Sequence, residues 1–100
     1  MKLLIPRYKT KVAQDGNRIV VTFWNTQIFE FSKEPPYVIL NSGGWRTATT
    51  KRRMNQCLRS VGLNNIRVFQ KDFEWFVSTP QGDFEFFDGM RFELVKEIVL

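Results

Sequence analysis

Turn-forming residues break this chain at short intervals, and that spacing limits what it can fold into. Asp15-Gly16-Asn17, Asn25-Thr26, Lys33-Glu34-Pro35-Pro36, Asn41-Ser42-Gly43-Gly44, Asn64-Asn65, Lys71-Asp72, Pro80-Gln81-Gly82 and Asp88-Gly89 leave segments of strand length between them. The expected strands are Tyr8–Ala13, Arg18–Trp24, Gln27–Ser32, Tyr37–Leu40, Ile66–Gln70, Phe73–Ser78, Asp83–Phe87 and Arg91–Val95. In the third, Ile28, Glu30 and Ser32 are expected on one face and Phe29 and Phe31 on the other.

One stretch reads differently. Met54, Cys57, Leu58 and Val61 fall at i, i+3, i+4 and i+7, which predicts a helix from about Thr50 to Val61. Thr47, Thr49 and Thr50 are candidate N-caps, and Gly62-Leu63 suits a Schellman stop. Strands joined by tight turns pair antiparallel. The expected fold is therefore α+β: a mostly antiparallel sheet of seven or eight short strands, with one central helix packed on one face. Its 100 residues suit a single domain, residues 1–100, and contain no repeat or linker.

Composition excludes several classes of function. Histidine is absent, which removes the usual general base near neutral pH and the commonest transition-metal ligand. No metal or other cofactor is expected. The single cysteine, Cys57, cannot form an internal disulfide, and its place in the apolar stripe suits core packing. The apolar run Leu3-Leu4-Ile5 ends at Pro6, too short for a signal peptide, and no stretch suits a membrane span. A cytoplasmic location is expected.

Charge is divided along the chain. Residues 1–71 carry thirteen Lys/Arg against three Asp/Glu, whereas residues 72–100 carry two against seven. A basic portion attracts polyanions. The acidic portion could repel nucleic acid or pair with the basic part of a second copy, and ordinary solvated charge explains both portions equally well.

The stretch from Leu40 to Gln56 carries the functional signal. A strand enters a glycine loop that opens a helix, where unpaired N–H groups and the helix dipole favour an anion. The candidate ligand residues are Gly43, Gly44, Trp45, Arg46, Thr47, Thr49, Thr50, Lys51, Arg52, Arg53, Asn55 and Arg59. Glycines would let the backbone approach a phosphate, threonines would add hydroxyls, and the basic residues would add charge. Cations in a helix's first turn oppose the dipole, so Lys51, Arg52 and Arg53 point to a ligand. The competing reading is a capped helix with a solvated basic face. Trp45 could stack on a base or staple the helix start. The loop is neither a Walker A motif nor Gly-x-Gly-x-x-Gly.

Adjacent aromatics, such as Phe23-Trp24 and Trp75-Phe76, point to opposite faces of a strand. Some of these rings are therefore expected at the surface or at a subunit interface. Asp83, Glu85 and Asp88, with Glu74, could hold Mg²⁺ in a nuclease. Alternation with Phe84 and Phe86 favours an ordinary half-buried strand instead.

The stretch Gly43-Gly44-Trp45-Arg46-Thr47, Thr49-Thr50-Lys51-Arg52-Arg53-Met54-Asn55, followed by Phe69-Gln70-Lys71 and Trp75-Phe76-Val77, resembles small accessory proteins of tailed bacteriophages. The resemblance covers about a third of the chain and brings no assigned site residue. It implies a phage product acting in the bacterial cytoplasm, where such proteins bind nucleic acid or block a host factor. The expected function is a non-enzymatic accessory protein that binds nucleic acid or a nucleotide through the glycine loop and the basic helix start. The alternative is an anti-host or anti-defence protein that sequesters a signalling nucleotide or occludes a host protein. Expected partners are nucleic acid or nucleotide, a host protein, or further copies of the chain.

Overall fold

The computed structural model describes residues 5–94. They form eight strands and one helix. The strands β1 (Thr10–Asp15), β2 (Arg18–Phe23), β3 (Thr26–Lys33) and β4 (Pro36–Leu40) precede α1 (Ala48–Ser60). After it come β5 (Arg67–Lys71), β6 (Glu74–Thr79), β7 (Gly82–Glu85) and β8 (Met90–Glu93). The α+β class and antiparallel pairing match the sequence reading, with element ends displaced by at most two residues. Val95, the expected end of the last strand, lies outside the described residues, as do Leu3 and Leu4.

The strands divide into two antiparallel sheets, ordered β1-β2-β3-β4-β8 and β5-β6-β7. The helix and the smaller sheet are thus inserted between β4 and β8, which pair with each other. Helix α1 packs against β5 and β3, and so joins the two sheets. Its buried Met54, Cys57 and Leu58 meet Val21, Phe29, Val38 and Leu40 of the larger sheet and Val68, Trp75 and Val77 of the smaller one in a single core. Each fully buried aliphatic or aromatic side chain there contributes roughly 1.5–3 kcal/mol.

Local chemistry explains the helix ends. The Thr47 side chain accepts a hydrogen bond from the Thr50 amide at 3.1 Å, the N-cap arrangement. At the other end the Leu63 amide donates to Leu58 O and the Gly62 amide to Arg59 O, with Gly62 at φ 84°. That is the expected Schellman motif.

Three local expectations are corrected. Ile28 faces the core beside Phe29, because the β2–β3 register shifts between Val21 and Thr22 and leaves Ile28 as a bulge. The β2–β3 turn is Trp24-Asn25 rather than Asn25-Thr26, since Phe23 pairs with Thr26 and Trp24 adopts φ 55°. The β5–β6 turn is Asp72-Phe73, both at positive φ, rather than Lys71-Asp72. Neither hairpin has glycine at the position that needs it, so composition misplaced both turns by one residue.

A tryptophan-walled cleft at the helix start

Strand register builds the glycine loop. Leu40 pairs with Met90, and continuing that antiparallel register two residues outward sets Ser42 opposite Asp88. The Asp88 carboxylate accepts from the Ser42 amide at 2.7 Å, the Ser42 hydroxyl at 2.6 Å and the Gly44 amide at 3.2 Å. The loop therefore binds an anion, and the anion is the chain's own aspartate. Partial burial opposes its ionisation. The Ser42 and Gly44 hydrogen bonds and the Arg46 charge outweigh that and hold the carboxyl below the ordinary aspartate value.

Gly43 has a structural reason to be glycine. It sits at φ 61°, and a Cβ there would lie 2.7 Å from Thr26 Cγ2 and 2.8 Å from Thr26 Oγ1. The start of β3, just past the β2–β3 turn, is what this backbone approaches so closely.

Between that turn, the loop and the helix start lies a cleft of about 440 Å³. Phe23, Trp24 and Ile28 form its apolar side, with Asn25 from the β2–β3 turn and Thr26 from the start of β3. Ser42, Trp45, Thr47 and Thr50 complete it from the loop and helix. Among the described residues no charged side chain lines it. Trp24 and Trp45 are 56% and 69% exposed, so both keep ring surface available to a ligand. The Thr47 and Thr50 hydroxyls lie 2.9 Å apart, hydrogen-bonded to each other.

The back of Trp24 is basic. Lys9 Nζ lies 5.1 Å from its ring centroid, and Tyr8 meets it edge-on at 6.3 Å. Arg7, Lys9 and Lys11 line a second recess of about 400 Å³ that shares Trp24 and Asn25 with the cleft. Lys9 and Trp24 both have positive φ, and the Trp24 amide donates to Lys9 O at 2.7 Å. Two non-glycine residues in that region, bonded to each other, mark backbone held in an uncommon conformation, which concentrates at functional sites.

The sequence-derived residues separate into groups. Trp45, Thr47 and Thr50 meet in the cleft, and Gly43 and Gly44 shape the loop beside it. Arg46 turns away, its guanidinium 5.3 Å from the Phe86 ring centroid. Lys51 donates to Gln70 at 3.4 Å. Asn55 is committed to β5, donating to Val68 O at 2.9 Å and accepting from the Val68 amide at 2.8 Å. Thr49, Arg52 and Arg59 are exposed and are not among the residues that line the cleft. Arg53 is buried, with its guanidinium 5.2 Å from the Phe23 ring centroid, Nη1 donating to Gln56 and Nε without a partner.

Trp24, Asn25, Lys9 and Lys11 were not singled out from the sequence. The basic excess of the first 71 residues and the Phe23-Trp24 pair were the only signals pointing to them. Among the described residues no group of three or more His, Cys, Asp or Glu could hold a metal ion. Asp88 is engaged in the loop. Burial pushes the Cys57 thiol up to about 12, the Arg53 charge opposing it. No helix among the described residues is long and apolar enough to cross a membrane.

Among the described residues, fold and site together define a small α+β protein with an uncharged, aromatic-walled cleft beside a basic recess. The chain belongs to the Kyanoviridae Gp96 protein family, whose family model matches residues 4–93, and is a bacteriophage protein. No curated protein and no solved structure matches it.

Proposed function

We propose that this phage protein binds single-stranded nucleic acid in the host cytoplasm as an accessory factor rather than as a catalyst. The observation that carries the reading is the pairing of exposed Trp24 and Trp45 on one uncharged cleft, with Arg7, Lys9 and Lys11 grouped behind Trp24. A base can stack on an indole in a site that would penalise a buried phosphate. Its phosphates then run over the basic recess, where counterion release favours them. The Asn25 side chain and the Ser42, Thr47 and Thr50 hydroxyls are the polar groups available to a base edge. Duplex DNA keeps its bases stacked inside, so single strands fit this arrangement better.

Anion contacts in this arrangement fall outside the glycine loop, whose Ser42 and Gly44 amides already serve Asp88. A second reading, capture of a free nucleotide as a defence against the host, draws on the cleft's volume. About 440 Å³ falls within the ~300–1,000 Å³ usual for small-ligand pockets.

The test is fluorescence anisotropy of labelled single-stranded DNA, duplex DNA and RNA at two salt concentrations, with mononucleotides as competitors. Single strands should bind best, and their affinity should fall steeply with salt. Absence of binding at low salt would overturn the polynucleotide reading. Competition by mononucleotide as effective as by oligonucleotide would favour the second.

A further inference from the structure

The smaller sheet has two unlike faces. Val68 pairs with Val77, both buried in the core on the side that meets the helix, and Phe84, across from Val77, shares that side by register but is 46% exposed. By alternation the opposite side carries Arg67, Phe69 and Lys71 from β5, Glu74, Phe76 and Ser78 from β6, and Asp83 and Glu85 from β7. The register arranges these in rows. Arg67 lies across from Ser78 and then Asp83, and Phe69 across from Phe76 and then Glu85.

Charge on this outer face therefore runs from positive along β5, across an aromatic centre, to negative along β7. The centre is a stacked pair, Phe69 and Phe76, with ring centroids 5.6 Å apart and planes at 25°. Both rings are only half-buried, whereas Arg67, Lys71, Asp83 and Glu85 are exposed. Arg67 shields one side of the pair, its guanidinium 5.8 Å from the Phe69 centroid. Among the described residues strand β7 is one edge of the sheet, and all four of its residues are exposed.

We infer that this outer face docks against the same face of a second copy of the chain. The charge gradient selects that occupant because it is complementary to itself under one symmetry operation. A twofold axis running along β6, between two facing sheets, lays β5 of each copy over β7 of the other. Arg67 then meets the row of the opposing Asp83, and Lys71 lies toward the opposing Glu85. Phe76 packs near the axis against its own counterpart. Glu74 also lies near the axis, and Lys71, directly across from it in the register, offsets the resulting like charge. Such an isologous contact closes at two copies and leaves the tryptophan cleft, which shares no residue with it, open in both.

The test uses analytical ultracentrifugation of the full chain across a concentration series at low and high salt. The wild type should form a dimer that weakens as salt rises. Arg67→Asp and Asp83→Arg should each weaken it about tenfold, since each sets like charges face to face. The double reversal, Arg67→Asp with Asp83→Arg, should restore affinity close to that of the wild type. Both positions are exposed, so circular dichroism should show all three variants folded. A wild type that stays monomeric overturns the inference, whether or not it captures another protein. So does a dimer indifferent to either single reversal, or a double variant no tighter than the singles.

Discussion

Asp88, two residues before β8, reaches across to hold Ser42 by both its amide, at 2.7 Å, and its hydroxyl, at 2.6 Å. That one carboxylate ties the loop carrying Trp45 to the larger sheet, and so sets one wall of the cleft. Its folded-state pKa is lowered, so as pH falls the unfolded chain takes up the proton first. The stabilisation is therefore complete above the ordinary aspartate value of ~3.9 and is lost as pH drops below it, through the folded value. Asp88→Asn should destabilise the domain at neutral pH by roughly 1–2 kcal/mol, a charged hydrogen-bond loss discounted for solvent exposure. Below the folded value the difference between variant and wild type should shrink. Urea titrations at neutral and acid pH check both points.

The two glycines of the loop should respond differently to alanine. Gly43→Ala places a Cβ against Thr26 at 2.7 Å while keeping a left-handed backbone. Gly44, at φ 84°, has nothing within 4 Å of an added Cβ and carries only the backbone penalty. Gly44→Ala should cost about 1 kcal/mol and Gly43→Ala roughly 2–4 kcal/mol, because strain and steric overlap add there. Equal losses in thermal unfolding would contradict the packing account.

Sequence and structure agree where the chemistry is local. Thr47 as the cap and Gly62-Leu63 as the stop were legible because the partners lie within a few residues. Asp88 and Ser42 are 46 residues apart, and only the β4–β8 pairing, which periodicity does not encode, brings them together. The two sheets were hidden for the same reason, since each strand reads alike whichever neighbours it takes. Trp24 was noted as half of an aromatic pair, but not as a turn residue, because a tryptophan at positive φ runs against propensity. Of the candidate ligand residues, hydroxyls and Trp45 at the loop–helix junction converge in the cleft. The charges expected to join them are dispersed.

That dispersal separates Asn55 from Arg52, both expected from the sequence to meet the ligand. Asn55 satisfies both the N–H and the C=O of Val68, half-buried where the helix meets β5. Asn55→Ala removes both bonds and leaves those backbone groups unpaired. A loss of roughly 2–3 kcal/mol in stability is expected, with nucleic-acid affinity unchanged once the protein is folded. Arg52→Ala, at an exposed position, should change stability by no more than ~0.5 kcal/mol. Denaturant melts of the two variants give the comparison.

Cys57 should be inert in the folded protein. It is fully buried, and burial pushes its thiol up to about 12, so almost no thiolate exists at neutral pH. A disulfide reagent such as Ellman's should label it only on unfolding, with a rate that rises with denaturant. Prompt stoichiometric labelling of the native protein would show the helix–sheet core to be open.

The two tryptophans provide the sharpest test of the cleft. Both rings are largely exposed, so Trp24→Ala and Trp45→Ala should each leave the stability within about 1 kcal/mol. Alanine at position 24 inherits the same backbone conformation, so the strain there does not change. If a base stacks on these rings, each substitution should weaken single-strand binding about tenfold, from ~1–3 kcal/mol of stacking per base. The double variant discriminates further. Two indoles that share one base lose their contacts together, so the combined loss falls short of the product of the single losses. Two indoles that stack separate bases give losses that multiply. Lys9→Glu with Lys11→Glu should instead flatten the salt dependence, because those side chains meet phosphates in this arrangement rather than bases. Unchanged affinity in both tryptophan variants would remove the cleft from the binding path, whatever the lysines did.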